Sequence, residues 1–488
     1  MKASRSTSSL GICGCQAINI SRPRAEITMP NLIQLRTAAR EIFDETLRAV
    51  DAGQALRREV LIRGSRLKIC DVELDVRDKK IYSIAIGKAA ASMAYALEQQ
   101  LGQSFTGGFM SGPLPGSNAP GLEGMHKGNL GTRWRVCEGG HPLPNSQSLA
   151  AGRKALELLE KANQERALIF FLVSGGGSAM IEWLINDDIT LANLRIANKL
   201  LINCGASISE VNAVRRALSL IKGGRMAEKV PTCDQITLII SDVPVGEECN
   251  VASGPTFAPP PGEPSPQDIV ASYVLRSALP EVVLRAIDAD QRPAIPASND
   301  STLLRKHFVL LNNNSALEAG AQAGRDRGFK VEIATDISDQ SIESGCVQLL
   351  NRLAQIRQRG DTSNGVCLVS GGEFSCPVLG SGIGGRNLES ALRLAIEWDK
   401  HDRDSRTAKD FVALCAGTDG IDGNSPAAGA IIDSTTIARA RSIGLDPQEF
   451  LNRSDAYPFF VALGNAITTG PTGTNVRDLR ILLLASRQ

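Results

Sequence analysis

No charge of either sign predominates in this 488-residue chain. Lys and Arg number 53 against 52 Asp and Glu, a formal net charge of +1. A dedicated nucleic-acid binder would carry a clear basic excess, so that class is excluded. No apolar run reaches the ~18 residues of a membrane span, which excludes a helical membrane anchor. The eleven cysteines are odd in number and scattered. No CxxC occurs, and Cys13 and Cys15 are the only close pair. His126, His141, His307 and His401 make no ligand spacing with them. A disulfide framework and a zinc site are therefore not expected, and a reducing compartment fits the cysteine usage.

Glycine, in contrast, is plentiful at 46 residues and clusters after apolar runs. The length suits two domains of ~200 residues each. Residues 1–25 are basic, Ser-rich and free of acid, with Glu26 the first carboxylate. That composition reads as a mitochondrial transit segment or as a disordered extension over 1–30. The expected location is cytoplasmic or mitochondrial.

Helical spacing runs from about Leu32 to Val50. Strands and helices then alternate. Ile81–Ile86, Ala167–Val173 and Gln235–Ile240 read as strands apolar on both faces. Helices are expected between them, one of them capped by Asn145. A Pro-rich stretch, Pro255 to Pro266, marks a boundary. The alternation restarts with strands at His307–Leu311, Val331–Ala334, Val366–Val369 and Phe411–Cys415. Such a pattern predicts an α/β protein of two three-layer α/β/α domains with largely parallel sheets. The expected division is 31–265 for a Rossmann-like domain, 266–302 for a linker and 303–488 for a second domain. Ligands in such folds gather at the carboxyl ends of the strands, which places a site in the cleft between domains.

The loops at those ends carry the candidate chemistry. Ser174, Gly175, Gly176, Gly177 and Ser178 follow a strand, and successive backbone N–H groups there suit a phosphate. A plain turn would not need three glycines. Lys88 stands at a strand end and a helix start, where a cation is unfavourable unless an anion neutralises it. Arg386 invites the same argument, beside Gly384, Gly385 and Asn387. Gly380 to Gly385 formally matches G-x-G-x-x-G, so a dinucleotide fold is an alternative. No acid ends a second strand ~20 residues on, as that fold expects. The Walker A spacing is absent. Asp419 and Asp422 lie in a Gly-rich loop, and Asp242 ends a strand; each is a candidate Mg²⁺ ligand. Thr474 and Asn475 sit in a hydroxyl-rich loop. Arg215 on a helical stretch could bind a substrate carboxylate.

Taken together these pieces resemble the glycerate kinase family of the glycerate 2-kinase type, whose C-terminal half is the MOFRL domain. The stretches that carry the resemblance are IGKAA (86–90), GGHPLPN (139–145), SGGGSA (174–179), EVNAVRRALSLIKGG (210–224) and SDVP with ASGPT (241–256). In the second half they are SGGE (370–373), GGRN (384–387), GTDGIDG (417–423) and TGPTGTN (469–475). They stand in family order. The chain departs from the family pattern at Val245–Glu248, Phe374–Cys376 and Ala456. The resemblance implies phosphorylation of D-glycerate with ATP and Mg²⁺, catalysed by a Lys and an Arg that fall on Lys88 and Arg386. The alternatives are an NAD(P)H-dependent hydroxypyruvate reductase and a non-catalytic nucleotide-binding protein. Neither a nucleic-acid nor a membrane partner is expected; a homo-oligomer remains open.

Overall fold

The computed structural model describes residues 32–114, 130–260, 262–290, 302–358, 365–404 and 410–485. The proposed N-terminal extension lies outside them. Ile81–Ile86, Leu168–Ser174 and Asp234–Ile240 are buried at every position, as their largely apolar runs predict. They form the middle of a six-stranded sheet. Its spatial order is Trp134–Cys137, Gly107–Ser111, Ile81–Ile86, Leu168–Ser174, Asp234–Ile240 and Arg305–Leu311. Every pairing in it is parallel. Ala52–Glu59 and Ala90–Leu101 cover one face. Ser146–Gln164 covers the other. Asn145 opens this last helix by a reciprocal capping box with Ser148.

Chain order in this sheet reverses between Ile81–Ile86 and Leu168–Ser174. Connections leave in opposite directions there, which opens a crevice at the carboxyl ends of the two strands. Lys88 follows the first strand and the Ser174–Ser178 loop follows the second. Strand order alone thus brings two sequence-predicted elements to one place.

The second sheet is mixed. Its order is Lys330–Ala334, Val366–Gly372, Asp478–Leu484, Phe411–Gly417, Gly429–Asp433 and Ala466–Ile467. The first pair is parallel and the other four pairs are antiparallel. Here the expectation of parallel strands holds only at one edge. The Asp478–Leu484 strand enters between two others from the opposite direction. A strand buried on both faces shows the same apolar run in either orientation, so periodicity does not reveal it. Ile342–Gln358 and Arg386–Asp404 cover one face, and Asn313–Asp326 the other.

Three segments depart from the expected division. Leu32–Ala49 packs on the second sheet: Leu35, Ile42 and Phe43 are wholly buried against Leu317, Val369 and Leu479. Arg305–Leu311 is the edge strand of the first sheet, not the start of the second domain. The expected linker holds two helices, Pro266–Ser272 and Glu281–Asp288. With Leu191–Asn203 and Ile208–Ala217 they bury a core of their own, including Val214, Ile269 and Val283. Proline opens the first of these helices at a position where no N–H is needed, so the Pro-rich stretch starts structure as well as interrupting it.

Candidate active site

Lys88 leaves the end of Ile81–Ile86 after Gly87. Its N–H donates to the carbonyl of Gly175 at 2.9 Å, tying it to the neighbouring strand end. The ammonium donates to Asp419 of the second domain at 2.6 Å. Burial works against the charge. Asp419, with Asp242 and Glu373 further off, outweighs that, and the Lys88 pKa is held above the ordinary lysine value. The pairing crosses from one domain to the other.

The Ser174–Ser178 loop is built differently from a simple phosphate cradle. Ser174 is fully buried; its hydroxyl accepts from the Ala89 N–H at 3.0 Å and donates to the Ile86 carbonyl at 3.1 Å. It joins two strand ends and offers nothing to a ligand, contrary to the expected role. A Cβ at Gly175 would overlap the Asp242 carboxylate. Gly176, at φ +79°, lies against the His141 ring and the Lys88 side chain. These two glycines therefore make room for charged and polar neighbours. Gly177 begins a four-residue helical turn and packs against Ala252. Of the five, Gly176 and Ser178 line a cavity.

Asp242 ends Asp234–Ile240 two residues on and accepts from the Asn475 amide at 3.2 Å, a second link across the domains. Burial pushes its carboxyl up to about 6, although Lys88 pulls the other way.

Arg386 begins the Arg386–Asp404 helix in the second domain. Its Nε donates to Asp478 at 2.7 Å and a terminal nitrogen lies 3.1 Å from Glu373. Glu373 is pushed up to about 7 by burial, with Asp478 adding to this and Arg386 opposing it. Asp422 was expected to bind metal. Instead its two carboxylate oxygens accept from the backbone N–H of Asn387 and Leu388, at 3.0 and 2.8 Å. It caps the helix that carries Arg386, accepting three hydrogen bonds there. A Cβ at Gly385 would overlap it, which accounts for that glycine. Asn387 donates to Asp422 and Asp478, while its own oxygen is buried without a partner.

A cavity of about 780 Å³ lies between the domains. Lys88 and Arg386, from positions 88 and 386, both line it, with Asp419, Gly384, Gly385, Asn387 and Asn475. Two smaller cavities adjoin it. One, of about 170 Å³, is mostly apolar and ends at Thr474, whose hydroxyl is buried without a partner. The other, of about 590 Å³, holds Ser178, Arg215 and Asp242. His141 lines all three. Burial and then Lys88 push its imidazole down to about 4, so it is neutral near pH 7.

Sequence reasoning missed Glu373, Asp478, Arg477 and His141 as site residues. Glu373 and His141 lie within the SGGE and GGHPLPN stretches, which were signal enough. Asp478 begins a strand whose apolar run Arg480 interrupts. Among the described residues no group of three or more His, Cys, Asp or Glu side chains could hold a metal ion by itself. The wall is nonetheless acid-rich: Lys88, Arg386 and Arg477 face Glu373, Glu389, Asp419, Asp422 and Asp478.

Comparison with known proteins finds two family patterns. One is a domain family of unknown function, DUF4147, over residues 38–288. The other is the MOFRL family, over 366–478. The glycerate 2-kinase of Pyrococcus horikoshii is 31% identical over 93% of this chain and 99% of its own length. A protein of Agrobacterium vitis provisionally named a hydroxypyruvate reductase is 32% identical, over 89% of this chain and 95% of its own. The crystal structure of the glycerate kinase of Thermotoga maritima superposes with a TM-score of 0.74 at 28% identity, covering 93% of this chain and 100% of that one.

Proposed function

The chain belongs to the glycerate kinase family of the 2-kinase type with a C-terminal MOFRL domain, and we infer that it moves the γ-phosphoryl group of ATP to a hydroxyl of D-glycerate. One observation carries this reading. Two cations from different domains, Lys88 and Arg386, line a single cavity large enough for a nucleotide and a small acid. Phosphoryl transfer asks a protein for positioning and charge neutralisation more than for covalent chemistry.

Lys88 and Arg386 each keep N–H donors beyond those given to carboxylates, and in this reading they neutralise charge on the transferred group. The Thr474 hydroxyl and the Asn387 oxygen are buried without partners in the walls. The acid-rich wall would repel a polyphosphate arriving alone. It fits a magnesium ion that keeps phosphate and water ligands and needs only one or two protein carboxylates. Asp419 and Glu373 would hold it; Asp422, engaged as a cap, would not. Bound there, magnesium would supply charge neutralisation between the phosphate oxygens. Asp242 would accept the proton of the attacking hydroxyl. Its value of about 6 is suited to a base working near neutral pH.

The reductase name of the Agrobacterium relative points to a second reading, which rests on Gly380 to Gly385. In a dinucleotide fold that motif turns directly from a strand into a helix. Here the preceding strand ends at Gly372, and a long loop intervenes. Gly380 and Gly382 pack against the backbone of Arg453 and Asp455. The glycines serve loop packing, and the kinase reading is preferred.

The test is direct. The protein is mixed with D-glycerate, ATP and Mg²⁺, and separately with hydroxypyruvate and NADH. ADP and phosphoglycerate are expected from the first mixture and no NADH oxidation in the second. Phosphorus NMR reads the position: a phosphate on C2 couples to one proton and on C3 to two. The 2-kinase names of the relatives carry the expectation to C2. NADH oxidation without ADP release would overturn the reading.

A further inference from the structure

The cavity of about 590 Å³ has features that a mere annex would not need. Arg215 reaches it from the Ile208–Ala217 helix. Its Nε donates to Asn198 at 2.9 Å, and its terminal nitrogens find no hydrogen-bond or ion-pair partner among the described residues. The carboxylate that bears on it, Glu182, is committed to Lys222 and Ser219. The guanidinium thus lines the cavity with N–H donors that no carboxylate takes, an arrangement a planar anion would satisfy. Asn250 lines the same cavity at 6% exposure, and its side-chain oxygen has no partner.

A hydrogen-bond relay in the wall has a fixed direction. The Asn250 carbonyl can only accept, so the Asn212 amide nitrogen faces it, at 3.4 Å. The Asn212 oxygen must then face Ser253, whose hydroxyl donates to it at 2.7 Å. With that proton committed, the 2.6 Å contact between Ser178 and Ser253 requires Ser178 to donate. The Ser178 oxygen is left as an acceptor toward the cavity. Ala252 and Ser253, at φ +52° and +61°, hold the relay in a left-handed conformation that L side chains seldom adopt. Such strain persists where the surroundings enforce it, and it gathers at ligand sites.

An anion acceptor and a hydrogen-bond acceptor thus face one space. A phosphate ester satisfies Arg215 but, with a second pKa of about 6, has for the most part lost the proton it could give Ser178 at neutral pH. A hydroxy acid satisfies both. We propose that this cavity is the acceptor subsite, selecting a small hydroxycarboxylate whose carboxylate pairs with Arg215 and whose non-reacting hydroxyl donates to Ser178, which leaves the attacking hydroxyl to Asp242. The inference rests on the kinase reading for its place in the reaction but not for the binding it asserts. His141, Glu373 and Arg386 line both this cavity and the larger one, so the acceptor would meet the nucleotide at their shared wall.

Calorimetric titration of the full chain with D-glycerate, propionate and ATP, beside steady-state kinetics, tests it. Arg215→Met is expected to weaken D-glycerate binding on the order of 10- to 100-fold, the loss of a charge-assisted hydrogen-bonded pair. ATP binding should move less than about 2-fold, since no lost contact bears on it. Ser178→Ala should weaken D-glycerate by roughly 3- to 10-fold and leave propionate, which lacks the hydroxyl, unchanged. Ser178→Ala keeps the test decisive should Arg215→Met not fold. Weakened ATP with D-glycerate retained, or equal losses for D-glycerate and propionate in Ser178→Ala, would overturn the proposal. Arg215-dependent binding of D-glycerate without turnover would sink the kinase reading alone. Turnover with an unmoved KM for D-glycerate in Arg215→Met would sink the subsite alone.

Discussion

Replacing Asp242 by Asn should make the protein more stable and less active. Burial pushes this carboxyl up to about 6, against about 3.9 for a free aspartate. Holding the charged form inside at pH 7 therefore costs up to about 3 kcal/mol. The sign follows from proton counting. Between about pH 4 and pH 6 the unfolded chain has released this proton and the folded chain retains it. Stability falls across that window by about 1.4 kcal/mol per pH unit and is flat above it. Asn fills the same volume without the charge and can still accept from Asn475. Asp242→Asn should then gain about 1–3 kcal/mol at pH 7, after allowance for the lost attraction to Lys88. For a domain of this size that raises Tm by roughly 3–10 °C. The gain should vanish near pH 4 and below, where both side chains are neutral. Turnover should fall by about 10²- to 10⁴-fold, the usual worth of a positioned base. Calorimetric scans from pH 3.5 to 8 with parallel ADP-release assays measure both. A variant less stable at pH 7, or a difference that persists unchanged at pH 3.5, would refute the reasoning.

Other consequences are as concrete. Asp422→Ala removes the cap of the Arg386–Asp404 helix and should cost about 1–2 kcal/mol by thermal unfolding, while the magnesium concentration giving half-maximal rate stays unchanged. Gly175→Ala places a methyl where the Asp242 carboxylate lies, and should depress turnover more than binding of ATP. Phe43→Ala empties part of the second domain's core and should cost about 3–5 kcal/mol; a fragment of residues 303–488 should fail to fold alone, because Leu32–Ala49 completes that core.

Much of the fold was legible because largely apolar runs of six or seven residues, several of them ending at glycine, announce buried strands. What the runs could not announce was direction and membership. Asp478–Leu484 escaped notice because Arg480 breaks its apolar pattern. That arginine is fully buried, donating to the Gly371 carbonyl and stacking over Phe374 at 3.5 Å. Leu32–Ala49 was visible as a helix, but its partner lies almost 280 positions on, and local pattern carries no such information. At the site, Lys88 and Arg386 stood out as cations placed where only an anion justifies them. A capping carboxylate and a metal-binding one look alike in a Gly-rich loop, and only the N–H groups that Asp422 accepts reveal that it caps. Glycines 175 and 176 were recognised as special, yet their reason is the side chains of Asp242, His141 and Lys88 crowding them.

The central claim is that Lys88 and Arg386 act together across one cleft. A double-mutant cycle on kcat for ATP-dependent phosphorylation of D-glycerate, using Lys88→Ala, Arg386→Ala and the pair, tests it most directly. Each single variant should lose about 10³-fold or more in kcat while remaining folded, Arg386→Ala with the lower Tm because it leaves Asp478 buried without its nearest cation. The pair should lose far less than the product of the two, because groups that serve one transition state fail together. Near-normal turnover in either single variant, or fully multiplicative losses, would contradict the account.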